Sequence, residues 1–396
     1  MKRKISTKLI HSSLNRTSFM ETSEALFLTS GFVYKTAEEA ESAFKENKKR
    51  FMYSRFGNPT VDILQKKLAD IEGAEACWLT SSGMSAVFAI FMSFLNKGDR
   101  VVAGRALFGS CHYILTKVLP KFGIEVELIN GKDIKCWDKA LKKRTSMVFF
   151  ETPSNPCLEI IDVNEVSKLA KKSGAIVVVD NVFATTIFQK PIELGADVVM
   201  YSATKHIDGH GRVLGGAILG KKKYCENIIK PFIRNTGPCI SPFNAWVLLK
   251  GIETLELRLN KQTESTIKIL EFLEDSKYIG KIYYPFYKKN PQYDIAKRQM
   301  SGGGNLISFE IKSDKINEKK KSFNFLNNLS LINISNNLGD NKSLITHPYT
   351  TTHHRLTDEE KKELGIKKNL IRLSVGLEDK TDIINDIKQA LVKSDK

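Results

Sequence analysis

From about residue 60 onward the apolar positions alternate between two rhythms. Helical spacing runs through Ile63, Leu64, Leu68 and Ile71, and an apolar helix at 85–95 follows Ser81-Ser82-Gly83. Short continuous apolar runs bounded by Gly, Asp or Asn then appear at 100–103, 124–129, 146–150, 175–179, 198–201 and 216–219. Helical patterns at 113–119, 136–142 and 163–172 separate them. Continuous rather than alternating apolar strands are buried on both faces. With helices between them, they predict an α/β fold with a mostly parallel sheet covered on both sides.

The flanks differ. Residues 1–55 read as an irregular arm with one helix at 37–49, and 56–258 as the large domain. A long helical stretch at 246–266 leads into a smaller α/β domain, 259–396. Its expected strands are 306–311, 331–333 and 370–375, its last helix is 380–392, and Gly302-Gly303-Gly304 forms a turn before a strand.

Composition changes this picture little. The 396 residues carry a net charge of +17, mostly from lysines in short runs such as Lys48-Lys49-Arg50, Lys221 to Lys223 and Lys319 to Lys321. These runs lack interleaved aromatics or a nucleic-acid motif, so a solvated basic surface is expected and no nucleic-acid partner. The six cysteines are scattered with no Cys-x-x-Cys, which argues against a disulfide framework or structural zinc. No apolar run approaches ~18 residues and no apolar segment follows the basic Met1 to Lys4, so a cytoplasmic protein without membrane contact is expected. His347, His353 and His354 lack zinc-ligand spacing, and no metal is expected.

Candidate chemistry sits where three of the predicted strands end, the place where doubly wound sheets hold ligands. One runs into Glu151-Thr-Pro-Ser-Asn155-Pro156, the next ends at Asp180-Asn181, and a third at Ser202-Ala-Thr204-Lys205. A carboxylate at a buried strand end can keep a pyridine nitrogen protonated, and a desolvated lysine can form an imine. Hydroxyls of Ser202 and Thr204, with the helix start at Ser82-Gly83-Met84, suit a phosphate. Singly, each residue has a plainer reading as a cap, a turn or a surface lysine. Their order along the chain favours one cofactor, pyridoxal 5′-phosphate (PLP).

These segments, with Tyr53-Ser-Arg55, Asn58-Pro59-Thr60 and Arg372-Leu-Ser374-Val-Gly376-Leu-Glu378, closely resemble the Cys/Met-metabolism PLP enzymes over essentially the whole chain. The resemblance implies a PLP-dependent aminotransferase-like fold (fold type I). It implies Lys205 as Schiff-base lysine and proton carrier, Asp180 at the pyridine nitrogen and Asn155 at the ring oxygen. Ser82, Gly83, Met84, Ser202 and Thr204 would lie at the phosphate. Tyr53 and Arg55 would reach the phosphate of a neighbouring subunit, making a dimer the minimal unit and a tetramer the expected assembly. Arg372, assisted by Ser343, would hold the substrate α-carboxylate.

Cystathionine synthases and lyases of the family usually have Tyr-Gly where this chain has Phe108-Gly109. Phe108 can stack on the cofactor ring but cannot exchange a proton. The Leu-Phe-Gly-Ser segment is similar to the O-succinylhomoserine sulfhydrylase branch. The reaction this implies is γ-replacement by sulfide, giving homocysteine and succinate. Cystathionine γ-synthase activity with cysteine is the first alternative, followed by O-acetylhomoserine sulfhydrylase and methionine γ-lyase. A nicotinamide enzyme is disfavoured, because no Gly-x-Gly-x-x-Gly follows an early strand.

Overall fold

The computed structural model describes residues 3–45 and 50–395. Seven strands form the larger sheet: β1 (Ala76–Thr80), β2 (Arg100–Gly104), β3 (Glu125–Ile129), β4 (Met147–Glu151), β5 (Ile176–Asp180), β6 (Val198–Ser202) and β7 (Gly216–Gly220). Their order is β1-β7-β6-β5-β4-β2-β3, and only β7 runs against its neighbours.

Period-2 geometry sorts the side chains. Val148, Phe150, Val177 and Val179 join the hydrophobic cluster on one face, while Met147, Phe149, Val178, Val198 and Met200 join the cluster on the other. Each fully buried side chain of this size contributes about 1.5–3 kcal/mol. Continuing the same alternation, Glu151, Asp180 and Ser202 fall on the face of Phe149, Val178 and Met200. The helix Gly83–Phe94 packs there through Ala86, Val87 and Ile90. The arithmetic of the pleat therefore aims three strand-end polar groups at one helix N-terminus.

A five-stranded sheet forms the smaller lobe: β8 (Ile279–Tyr283), β9 (Leu306–Ile311), β10 (Asn333–Ile334), β11 (Leu344–Thr346) and β12 (Leu370–Ser374). Its order is β10-β11-β12-β9-β8, antiparallel except for β10 and β11. Ile371 and Leu373 point into a core shared with Ile269 and Leu273 of the helix Leu255–Asp275 and with Ile383 and Ile387 of the helix Lys380–Ser394. Arg372 lies between them in sequence and faces the other way.

This is the α/β architecture expected from the chain, a large mostly parallel sheet with a smaller second lobe. Several local expectations change. β1 is a strand that the hydrophobic rhythm did not mark. The stretch at 246–266 is two helices, Pro242–Ile252 and Leu255–Asp275. Their break frees the Gly251 carbonyl, which accepts from the buried Arg258 guanidinium at 2.8 Å. Gly251 also packs so tightly on the 207–208 backbone that a Cβ there would sit 2.6 Å from the Ile207 oxygen. The segment expected at 113–119 is a composite: helix Gly109–Tyr113, a wider turn Ile114–Val118 and a tight one Leu119–Phe122 holding Pro120. The early helix is Ala37–Phe44, and positions 46–49 of its expected extent lie outside the described residues.

Candidate active site

A cavity of about 230 Å³ opens between the ends of β4, β5 and β6, the helix Gly83–Phe94 and the β12 face of the smaller lobe. Ser82, Gly83, Met84, Phe108, Asn155, Asp180, Ser202, Thr204, Lys205 and Arg372 all line it. These residues span most of the sequence, and the fold brings them to one place.

At one end Ser82 caps the helix by accepting from the Ser85 N–H at 3.1 Å. The N–H groups of Gly83 and Met84, first in the helix and at the cavity wall, have no intrahelical acceptor and suit an anion. Gly83 is required there, because a Cβ would come within 2.7 Å of the Ser202 Cβ. Thr204 accepts from the Gly215 N–H at 3.1 Å, fixing the segment after β6 against the start of β7.

Lys205 lies on that segment, and its Nζ donates to Asn337 Oδ1 at 2.6 Å. Burial, reinforced by the charge of Arg372, lowers its pKa to about 8. Roughly a tenth of such a group is neutral amine at pH 7, against on the order of one in 3,000 for an ordinary lysine.

At the far end the carboxyls of Asp180 and Glu151 meet, since these residues are register partners across β5 and β4. Burial pushes Asp180 up to about 7, opposed by the Val182 N–H it accepts. Burial, and then the neighbouring Asp180, push Glu151 well above the usual carboxylate range too. A cation placed against Asp180 would reverse its shift, and a protonated pyridine ring supplies one.

Arg372 is the most exacting group. Although 1% exposed, it has no carboxylate partner among the described residues. Its Nη1 donates to Asn155 Oδ1 at 2.9 Å, its Nη2 to the carbonyls of Asn336 and Asn337, and its Nε has no partner. A buried guanidinium with an idle N–H lacks an anion, and a carboxylate accepts from such a fork in two places.

These residues fit PLP: an amine of lowered pKa, an anion cradle that a Cβ would fill, an acid at the opposite end, and a free cation for an amino acid. The comparisons agree. Residues 6–392 match the family model of Cys/Met metabolism PLP-dependent enzymes. The chain belongs to this family.

Among family members, an O-succinylhomoserine sulfhydrylase of Mycobacterium tuberculosis (strain ATCC 25618 / H37Rv) is 48% identical over 96% of this chain and 94% of its own. One from Pseudomonas aeruginosa is 40% identical over 97% and 94%. An L-methionine gamma-lyase of Treponema denticola is 38% identical over 98% and 96%. Of the solved structures, the cystathionine gamma synthase of Xanthomonas oryzae pv. oryzae in complex with cystathionine superposes with a TM-score of 0.94 at 30% identity, covering 100% of this chain and 99% of that one. A putative O-acetylhomoserine (thiol)-lyase of Campylobacter jejuni gives 0.92 at 29% identity, covering 98% and 100%, and holds N′-pyridoxyl-lysine-5′-monophosphate. PLP is this family's cofactor.

Three expected residues lie elsewhere. Ser343 is not brought to Arg372: its hydroxyl donates to Glu378 at 2.9 Å and accepts from the Gly376 N–H at 2.9 Å, so it braces the loop after β12. Tyr53 and Arg55 are on the arm, outside this chain's own cavity. Arg55 lies over the Phe56 ring at 4.7 Å and donates to the Arg234 carbonyl. Conversely, Glu151, Cys111, Asn336 and Asn337 line or touch the cavity without having been singled out. Glu151 stood in the same segment as Asn155, and its register opposite Asp180 was the available signal.

Proposed function

We propose that this enzyme carries out γ-replacement on O-succinyl-L-homoserine with sulfide, giving homocysteine and succinate. The observation that carries an amino-acid substrate is Arg372, a buried cation with an idle N–H facing the Lys205 amine across one cavity. The choice of ester and nucleophile rests on the sulfhydrylase relatives at 48% and 40% identity, together with Phe108.

PLP supplies the electron sink that makes loss of the α-proton accessible. Arg372 holds the α-carboxylate, fixing which bond at the α-carbon faces the lysine. Lys205 Nζ takes the α-proton and helps remove one from the β-carbon. The γ C–O bond then breaks, succinate carries off its electron pair, hydrosulfide forms the new C–S bond, and Lys205 returns the protons. Asn337 Oδ1 holds the amine when it is free. The Phe108 ring closes one side without offering a competing proton donor.

We also infer that Tyr53 and Arg55 complete the phosphate site of a neighbouring subunit, in a dimer or a tetramer of such dimers working in the cytoplasm. A guanidinium and a phenol remote from their own cavity support this reading. Cystathionine γ-synthase activity is the second reading, favoured by the likeness to the Xanthomonas enzyme. Purified protein given O-succinylhomoserine should form homocysteine with sulfide faster than cystathionine with cysteine. The reverse order would install the second reading. Preference for the acetyl ester, or methionine cleavage without a nucleophile, would point to the remaining family activities.

A further inference from the structure

A pyridine nitrogen needs one carboxylate partner, yet the cavity holds two. Glu151, 6% exposed, stands beside Asp180, and its Oε1 accepts the Phe108 N–H at 2.6 Å. The Cys111 thiol, from the short helix behind Phe108, lies beside the same carboxyl. Reactive atoms of Cys111, Glu151 and Asp180 all lie within 4.8 Å of one another. The groups facing Glu151 are therefore Asp180 from β5, Cys111 from the 109–113 helix, and the backbone N–H groups of Phe108 and Asn155. No Lys or Arg among the described residues forms an ion pair with either carboxyl.

Two carboxyls this close in an enclosed site cannot both ionise, so the pair retains a proton. Asp180 is the one expected against the cofactor's ring nitrogen, where negative charge is useful. We propose that Glu151 is a positioning residue that keeps its proton beside an ionised Asp180, and that its carboxyl fixes the Phe108 turn at the cofactor cavity. The upward shift of Glu151 has the right direction and cause. The Cys111 thiol is pushed up as well, so the cluster favours protonated groups that do not ligate a metal. This role concerns the cofactor alone and stands whichever ester or thiol is used.

Two substitutions test it without substrate. Glu151→Gln retains an oxygen for the Phe108 N–H and is neutral at every pH; Glu151→Ala leaves that N–H unsatisfied. In the holoenzyme, Gln should keep the PLP dissociation constant and the induced circular dichroism within about twofold, and Ala should weaken PLP binding by about tenfold. In the protein freed of PLP, both raised carboxyls bind protons more tightly when folded, so stability present at low pH is lost as pH rises through their folded-state pKa values. The Gln variant should lose it with a slope shallower by one proton. If Gln weakens PLP as much as Ala does, Glu151 works as an anion and the proposal fails. It also fails if Ala matches the parent, or if the stability slopes of parent and Gln coincide.

Discussion

At the scale of single residues, the site is a set of ionisable groups displaced from their usual ranges by burial. Lys205 has the most direct consequence. Only the neutral amine attacks the PLP aldehyde, so loading of the cofactor-free protein should quicken as pH rises towards about 8 and level off above it. The expected slope is about tenfold per pH unit well below that value. Stopped-flow absorbance would measure it, and a curve still rising at constant slope beyond pH 9 would mean that the lysine is not desolvated as described. Lys205 and Asp180 were legible because each follows an apolar strand and has a residue type with a distinct chemical use, and Arg372 was legible through the family resemblance. Glu151 and Asn337 were not. The significance of Glu151 arises from cross-strand register, and that of Asn337 from a meeting of two lobes more than a hundred positions apart in sequence. Ser343 was expected at the substrate through the family resemblance alone, but its hydroxyl bonds Glu378 and the Gly376 N–H.

At the scale of elements, the hydrophobic rhythm located six of the seven large-sheet strands to within about two residues. β1 was missed because its apolar run, Ala76 to Leu79, is short and holds no β-branched side chain, although Gly73 and Ser81-Ser82-Gly83 bound it. The strands β8 and β11 escaped for a related reason: β8 carries exposed Gly280 and Lys281, and β11 is three residues long. The helix start at Gly83 gives the sharpest test at this scale. Gly83→Ala should force the helix away from Ser202 and weaken PLP binding by about tenfold or more, read by equilibrium titration. Far-ultraviolet dichroism should stay close to the parent's, because the change falls at the first position of the helix and leaves the rest of its turns intact. Undiminished PLP affinity would show that the contact relaxes cheaply and that the cradle is wider than drawn.

At the scale of the whole molecule, the arm is held firmly for an irregular segment. Lys67, fully buried, donates to the Leu9 and Ile10 carbonyls, and Glu24 accepts from Lys250 at 2.5 Å. Anchored in this way, the arm can present Tyr53 and Arg55 in a defined place. Arg55→Ala should weaken PLP binding by about tenfold while the lobes stay folded, and sedimentation should find at least a dimer. A monomer binding PLP with parental affinity would refute the shared site. None of the described helices is long and apolar enough to cross a membrane.

The bond from Arg372 to Asn155 has a mechanical meaning. The guanidinium grows from the small lobe's sheet, and the amide that steadies it sits on the loop that follows β4 of the large one. Grip on an amino acid is thus a measure of how the two halves are set against each other. A substitution far from the cavity that tilts one lobe by a fraction of an ångström would surface as a poorer KM, and in the cofactor-free protein it would also loosen the Lys205–Asn337 bond, which spans the same seam.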